Sequence, residues 1–181
     1  MNKKLAPYMI AAGAVIFVAV FAEFLTPFDP YAQDLEGALV PPNSVNWLGT
    51  DRYGRDVLSR VIMGAQTTLC ASLILLAVIS AVGSLIGAVC GFFGGRLDTI
   101  LMRISDVFLA FPQMVFAIAA AGALGGGLVN AALALALIGW TKYARIARSL
   151  TLTIRKMPYF DAAKLAGTGS AGMLWYHVLP N

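Results

Sequence analysis

Four long apolar segments constrain the fold of this chain more than any other feature: residues 8–25, 69–93, 104–124 and 128–143. A helix needs roughly 20 apolar residues to cross the hydrocarbon core of a bilayer, and each segment approaches that length. Hydrophobic residues make up 59% of the chain and charged residues only 12%, whereas about a quarter of a soluble domain is charged. Because so little polar surface is left, we predict an all-α, polytopic helical membrane protein with four spans.

The first apolar segment follows Lys3 and Lys4, a layout that signal peptides share with retained membrane spans. It is longer than the apolar region of a typical signal peptide, which has about 7–15 residues. No small-residue cleavage pattern follows at residues 23–27. We therefore favour a retained first span.

The region between the first two spans has a different composition. Four prolines up to residue 42 predict an extended, irregular loop. Residues 51–66 then place apolar side chains at helical spacing, which predicts an amphipathic helix at the membrane surface. A contact with an external protein and a collar that seals the spans are equally good interpretations of this helix. Its apolar residues are Val57, Leu58, Val61 and Ile62.

The basic residues predict the orientation of the chain. If the N-terminus is cytoplasmic, all but three of the 13 lysines and arginines fall in stretches on the inner side, and the exceptions are Arg52, Arg55 and Arg60 in the external loop. Lysine and arginine are enriched in cytoplasmic loops. We therefore predict that the N-terminus and residues 142–181 are cytoplasmic.

Glycines in the spans predict close helix packing. Gly83, Gly87, Gly91 and Gly94 recur near the end of the second span, largely at four-residue spacing. Small residues at this spacing let another helix backbone approach closely in a membrane, where hydrophobicity does not drive association. Residues 125–127 are all glycine and predict a tight turn between the third and fourth spans.

Proline and polar residues in the third and fourth spans are candidates for function or packing. Pro112 removes a backbone donor and predicts a kink. Gln113 and Asn130 fit either a permeation path or hydrogen bonds between helices. Asp106 lies three residues after Arg103, so we predict an ion pair between them on one helix face.

The last stretch, residues 158–181, is too polar to span a membrane. Pro158 suits the first turn of a helix, and Asp161 lies in that turn, where its charge favours the helix dipole. Gly167 and Gly169 allow the backbone to turn before a second helical stretch. The first helix carries a low ridge of small residues that fits a cleft in a partner: Ala162, Ala163 and Ala166.

This stretch resembles the "EAA" signature of importer-type ABC-transporter permeases. Residues 161–163 (Asp-Ala-Ala) are followed after three residues by Gly167 and after nine more by His177-Val178-Leu179-Pro180. Aspartate replaces the family's glutamate, and histidine replaces its isoleucine. The resemblance implies a cytoplasmic coupling helix that inserts into a cleft of the ATP-hydrolysing subunit. It assigns that contact to Asp161, Ala162, Ala163, Gly167, Leu179 and Pro180.

Two further stretches resemble the dipeptide/oligopeptide/nickel branch of these permeases. They are residues 47–60, and residues 94–98 with Arg103, Asp106 and Phe111-Pro112. The resemblance implies a type I ABC importer transmembrane domain in a bacterial inner membrane. It also implies two ATP-binding subunits, a second homologous permease and an external substrate-binding protein as partners.

Members of this family carry two more spans after the coupling helix, so we expect a partial permease with its last two spans missing. We divide the chain into residues 1–66, an N-terminal span with its external loop and amphipathic segment, and residues 67–181, a partial permease domain.

Other functional classes fit the sequence less well. No Gly-Lys-Ser/Thr follows Gly94-Gly95, so we expect no nucleotide site here, and ATP and Mg²⁺ would be used by partner subunits. His177 is the only histidine and a poor basis for a metal site. A membrane enzyme would need a cluster of reactive side chains, which is lacking, and no feature points to nucleic acid. A scaffold or receptor subunit without transport is the alternative to a permease, and the substrate, whether peptide or nickel, stays open.

Overall fold

The computed structural model describes residues 5–180, and Lys3, Lys4 and Asn181 lie outside that range. The described residues are largely helical, which confirms the predicted all-α class, and an isolated antiparallel bridge pairs Thr50 with Asp56. The helical elements in chain order are α1 (Ala6–Val20), α2 (Ala22–Leu25), a 3₁₀ turn (Leu35–Gly37), α3 (Val57–Phe93), α4 (Gly95–Ala110), α5 (Gln113–Ala123), α6 (Leu128–Ile154), α7 (Pro158–Leu165), α8 (Ser170–Gly172) and a π-helix (Met173–Val178).

The chain forms two compact units, Met1–Leu73 and Ile74–Asn181. The first unit contains α1, α2, the loop that follows and the first turns of α3. The second contains the rest of α3 and all later helices. The division after residue 66 that the sequence favours stays a prediction.

The N-terminus of α3 is fixed by the side chain of Asp56. Its carboxylate accepts hydrogen bonds from the backbone N–H of Ser59 at 2.8 Å and from the Ser59 hydroxyl at 2.7 Å. This is the geometry of a helix N-cap. The Asn46 amide donates to the same carboxylate at 3.0 Å. Burial of Asp56 raises its pKa, but these hydrogen bonds outweigh that effect and lower it.

The helix that begins at Val57 continues without interruption to Phe93. Residues 57–66 of the predicted surface helix and the predicted span of residues 69–93 are therefore parts of one helix in this structure, whereas residues 51–56 belong to the preceding loop. The physical reason is that residues 67 and 68, which separate them, are threonines and not proline or glycine, so no helix-breaking residue ends the helix there. Whether the first turns of α3 contact an external protein stays open.

The loop before α3 is held by short polar contacts. The Thr50 hydroxyl donates to the Gly37 carbonyl at 2.5 Å and accepts from the Val40 N–H at 2.9 Å. Arg55 contacts the Asp51 carboxylate at 2.6 Å, and this hydrogen-bonded ion pair lowers the pKa of Asp51 to about 2, against the smaller opposing effect of burial. The loop of the first unit is thus a folded element.

In the second unit, the predicted glycine seam of α3 packs against α6. A Cβ atom added at Gly83 would lie 2.5 Å from the Trp140 carbonyl oxygen, and one added at Gly91 would lie 2.7 Å from Thr151 Cβ. A Cβ at Gly87 would overlap the Ala144 carbonyl group. The two backbones therefore approach so closely at these three positions that glycine is required, as the spacing predicts, whereas nothing lies within 4 Å of a Cβ added at Gly94.

The predicted third span, residues 104–124, is two helices instead of one kinked helix. α4 ends at Ala110, α5 begins at Gln113, and the two are bent by 89°. Phe111 is extended, as a residue before proline prefers to be. Pro112 lacks an N–H and precedes the first turn of α5, where no helical donor is needed. Proline thus separates two helices here.

Within residues 5–180, one helix, α3, is long and apolar enough to cross a membrane, and the bent pair α4–α5 passes the same test when taken as one span. α1 is apolar but has 15 residues. α6 extends beyond the predicted end at residue 143 and runs to Ile154. The count of four spans stays a prediction.

Candidate functional site

The helix α7 is built by local backbone chemistry at both of its ends. Met157 is extended, Pro158 opens the helix, and Asp161 lies in the first turn, as predicted. Gly167 has a φ of +87°. Its N–H donates to the Lys164 carbonyl at 3.1 Å, and the next N–H donates to the Ala163 carbonyl at 3.2 Å. This pair of bonds is a Schellman motif, which explains why the chain has glycine there.

Gly169 does not have a comparable role. Its φ is −66° with an extended ψ of 162°, a conformation open to other residues. The turn between the two helical stretches therefore depends on Gly167. The second stretch begins with α8 and continues as the π-helix, and Leu179 follows it directly. The second helical stretch predicted after Gly167 and Gly169 is therefore confirmed.

One face of α7 rests on a small hydrophobic cluster. Phe160 is buried, and its ring lies 6.2 Å from that of Phe92 at the end of α3, in an edge-to-face arrangement. Edge-to-face aromatic pairs stabilise such contacts. The buried residues of the cluster are Ala88, Phe160, Met173 and Val178, and Phe92, Ile154, Ala163, Leu174 and Leu179 pack around them.

The opposite face of α7 is exposed. We call it the coupling face and define it by Asp161, Ala162, Leu165 and Ala166, all of which are solvent-exposed. The Leu165 side chain is 89% exposed. An isolated exposed leucine is ordinary on a protein surface. Here it lies on a short helix between small side chains, so a partner could approach the backbone closely.

The predicted contact residues fall into two groups. Asp161 and Ala162 lie on the coupling face, Gly167 forms the turn beside it, and Pro180 is exposed. Ala163 and Leu179 instead pack against the hydrophobic cluster. The ridge predicted from three alanines was therefore wrong for Ala163. Phe160, which the sequence analysis missed, takes the inward face, and Ala163 three residues later must share that face.

Arginines of α6 and of its C-cap tie this helix to its neighbours near α7. Arg148 forms a paired contact with the Asp98 carboxylate, one bond of which is 2.6 Å. Arg155 donates to the Gly91 carbonyl at 2.9 Å. These contacts join the end of α3 and the start of α4 to the helix that precedes α7. Sequence reasoning missed them, although Asp98 and Asp106 share a face of α4.

The predicted ion pair between Arg103 and Asp106 was wrong. Asp106 pairs with Arg145 of α6, which also donates to the Ser105 hydroxyl at 3.4 Å. Ser105 is fully buried. Because α4 packs against α6 through this face, the carboxylate of Asp106 meets a distant arginine and not the one a turn earlier on its own helix.

The two polar candidates in the later spans occupy different surroundings. Asn130 donates from its amide to the carbonyls of Leu124 and Gly126, at 2.7 Å each. Its side chain therefore closes the glycine turn between α5 and α6. Gln113 is the first residue of α5, directly after Pro112, and is partly buried. A role of these residues in a permeation path stays a prediction.

Comparison with known proteins identifies the family. Residues 83–181 match the model of the family described as "Binding-protein-dependent transport system inner membrane component". This region contains the glycine seam, α4 to α6, α7 and the π-helix. It therefore includes the whole coupling face and the cluster beneath it.

Individual relatives agree with this match. The chain is 38% identical to a probable D,D-dipeptide transport system permease protein of Escherichia coli, over 98% of this chain and 61% of the relative. It is 36% identical to a nickel transport system permease protein of Escherichia coli, over 94% and 61%. It is 34% identical to a glutathione transport system permease protein of Pectobacterium atrosepticum, over 94% and 58%.

The chain thus spans about three fifths of the length of these curated relatives. The family match nevertheless covers more than half of the chain, and the identity to the D,D-dipeptide relative extends over nearly all of it. The resemblance inferred from the EAA-like stretch is confirmed. The chain belongs to the family of binding-protein-dependent transport system inner membrane components.

Proposed function

We propose that this chain acts as a permease subunit of an ATP-driven importer, in which it forms part of the translocation path and couples that path to separate ATP-binding subunits. The observation that carries the proposal is the coupling face. It is an exposed helical face with Leu165 at its centre, and its inward face is anchored on the helices that the family match includes.

The support beneath α7 provides a route for mechanical coupling. Phe160 and Ala163 pack with Ala88 and Phe92 of α3, so a displacement of α7 is resisted by the end of that helix. Arg155 adds a hydrogen bond to the backbone of α3 at Gly91. Packed elements of this kind change arrangement as units and do not deform continuously. A push on the coupling face would therefore move α3 and α6 together.

The proposed assembly contains two ATP-binding subunits, a second homologous permease and an external substrate-binding protein. ATP and Mg²⁺ act in the partner subunits, and this chain itself is neither an enzyme nor a nucleotide-binding protein. The N-terminus and the coupling face are cytoplasmic in this proposal. The support is the distribution of basic residues, of which only Arg52, Arg55 and Arg60 fall in the loop assigned to the outside.

The proposed substrate class is a di- or oligopeptide, or nickel. Relatives of nearly equal identity are a D,D-dipeptide, a nickel and a glutathione permease protein. Since their identities differ by only a few per cent, they do not separate peptide from metal cargo. Uptake of a labelled dipeptide and of radioactive nickel, compared in cells with and without the intact gene, tests this choice.

Affinity purification tests the assembly. A tag on this chain is expected to co-purify an ATP-binding subunit and a second permease from gently solubilised membranes. The proposal would be contradicted if the folded, tagged chain were recovered without any ATP-binding subunit from cells in which the tagged chain supports uptake. If the complex co-purified but cells with the intact gene took up neither the dipeptide nor nickel, the proposed assembly would stand and the proposed substrate class would be wrong.

A further inference from the structure

We propose that α4 is an interfacial amphipathic helix, with one face in the acyl-chain boundary of an anionic bilayer, and not the first half of a membrane span. The proposal rests on an exposed apolar stripe on α4, on two arginines beside it that form no salt bridge within residues 5–180, and on the nearly perpendicular angle between α4 and α5. The inference requires membrane residence but no transport activity, so its failure leaves the proposed coupling role standing.

The bend gives α4 its direction. α5 and α6 form an antiparallel hairpin whose tip is the glycine turn closed by Asn130. If this hairpin follows the membrane normal, the 89° bend at Phe111-Pro112 places α4 near the membrane plane. A helix in that plane crosses no hydrocarbon core, whatever its apolar content.

The faces of α4 separate into distinct sectors. Asp98 and Ser105 point to α6, where they meet Arg148 and Arg145. A second sector is apolar and exposed, with side chains that recur every three or four residues along one side. It consists of Leu97, Ile100, Ile104 and Val107, which are 45%, 59%, 42% and 61% exposed. No described segment of the second unit covers this stripe.

Two basic residues border the stripe. Arg96 and Arg103 are exposed, and within residues 5–180 neither forms a salt bridge. At 100° per residue, both lie next to the stripe. Arg103 also borders the cavity between α4 and α6 that Asp106, Arg145 and Arg148 line. Arginines beside an apolar face are typical of helices that lie on membranes with anionic headgroups. This charge distribution favours an anionic lipid surface, and not a protein partner, as the contact of the apolar stripe.

The contact with α6 indicates the depth in the membrane at which α4 lies. α4 meets α6 at Arg145 and Arg148, and Phe108 lies 6.4 Å from the Trp140 ring. Tryptophan is enriched at membrane interfaces, and basic residues mark the end of a span. The part of α6 that α4 touches therefore has the composition of the interface and not of the hydrocarbon core.

Nitroxide depth measurement tests the proposal in vesicles that contain the complete permease with its partners. Labels are attached in turn to Leu97→Cys, Ile100→Cys, Ile104→Cys and Val107→Cys, with Cys70→Ala to remove the exposed native thiol; Cys90 is buried. Accessibility to oxygen and to a water-soluble nickel chelate gives the depth of each label. We expect all four labels at about 5–10 Å below the headgroups, with no steady trend along the helix.

A spanning helix gives a different result. Leu97 and Val107, which are ten positions apart, would then differ in depth by about 15 Å, at 1.5 Å per residue, and such a gradient would overturn the proposal. Protection of the stripe from both reagents would overturn it as well, because that result means a protein partner. The matched control is Met114→Cys and Ile118→Cys, exposed positions of α5 that should differ by about 6 Å.

A second variant tests the lipid charge independently of the label series. The Ile104→Cys label should lie deeper in vesicles that contain anionic lipid than in purely zwitterionic vesicles. Combined Arg96→Gln and Arg103→Gln substitutions should abolish that difference. A depth that is independent of lipid charge in the parent protein would contradict the assigned headgroup contact.

Discussion

Gly167 shows how one residue can determine the shape of the candidate site. Its positive φ ends α7 and directs the chain into α8, and the space around it is open, so a side chain there would meet no steric obstacle. The constraint is conformational, since L-residues in this region are destabilised by roughly 1–2 kcal/mol. The sequence signalled this through glycine at a helix end, without any knowledge of packing.

Substitution of Gly167 should separate backbone conformation from side-chain size. Gly167→Val, which is β-branched, is expected to disturb the turn and reduce ATP-driven uptake several-fold, while membrane insertion is retained. Gly167→Asn, a residue that tolerates positive φ, should be much milder. Uptake and ATP hydrolysis in reconstituted vesicles measure both effects. If Gly167→Val left uptake and association with the ATP-binding subunit unchanged, the coupling assignment would fail.

Leu165 should contribute to the affinity for the ATP-binding subunit and not to the stability of the fold. Because it is 89% exposed, Leu165→Ala should leave the thermal stability of the free chain unchanged. Burial of a leucine side chain in a partner is worth about 2 kcal/mol, which corresponds to roughly 30-fold in the dissociation constant for the ATP-binding subunit. Leu35→Ala, at a comparably exposed position of the other unit, is the matched control and should leave this constant unchanged.

The lowered pKa of Asp51 predicts that the loop of the first unit loses stability at low pH. Its pKa of about 2, caused mainly by Arg55, is below the ordinary aspartate value of about 3.9. A lowered pKa stabilises the folded loop above the ordinary value, and this stabilisation is lost as pH falls toward 2. Pepsin cleavage of the loop should therefore accelerate between about pH 4 and pH 2, beyond the change measured for an unstructured peptide.

The control for this pH dependence is Asp51→Asn. That variant lacks the ion pair at every pH, so its loop should be cleaved faster at pH 4 and show little further acceleration on acidification. Identical pH profiles for the two proteins would mean that the Asp51–Arg55 pair does not stabilise the loop.

At the scale of helices, the ends of a helix could be predicted from the sequence, but the helices against which it packs could not. Pro158 and Gly167 mark the ends of α7 because each acts on its own backbone. Asp106 could be paired from sequence only with Arg103, its neighbour on one helix face, whereas the structure pairs it with Arg145. Sequence spacing carries no information on which helices pack together, so the inward position of Ala163 was missed for the same reason. A kink at Pro112 was predicted, but its size of 89° and the division into two helices were not.

The glycine seam between α3 and α6 gives a prediction at this scale. Gly87→Ala should destabilise the protein by about 1–3 kcal/mol, the usual range for an overpacked contact, because the added methyl group meets the Ala144 carbonyl. Gly64→Ala is the matched control on the same helix, where nothing lies within 4 Å of the added atom. It should be neutral or slightly stabilising. Thermal unfolding of the solubilised protein measures both, and equal effects would contradict the seam.

For the whole molecule, the family match and the structure agree on the region that matters. Residues 83–181 contain every residue of the hydrophobic cluster that supports the coupling face. The sequence was sufficient to predict the helical class, the glycine contacts and the polar helix at the end of the chain. It did not define the buried side of that helix, since Phe160, Met173 and Val178 come together only when the end of α3 is in place.

The central claim is that the coupling face contacts the ATP-binding subunit, and site-specific photo-crosslinking tests it most directly. A photoreactive amino acid at Leu165 should yield an adduct with the ATP-binding subunit in inner-membrane vesicles that still transport. The same amino acid at Leu35 should yield none. An adduct from Leu165 alone supports the account. Absence of that adduct in transport-competent vesicles, or an equal yield from Leu35, would contradict it.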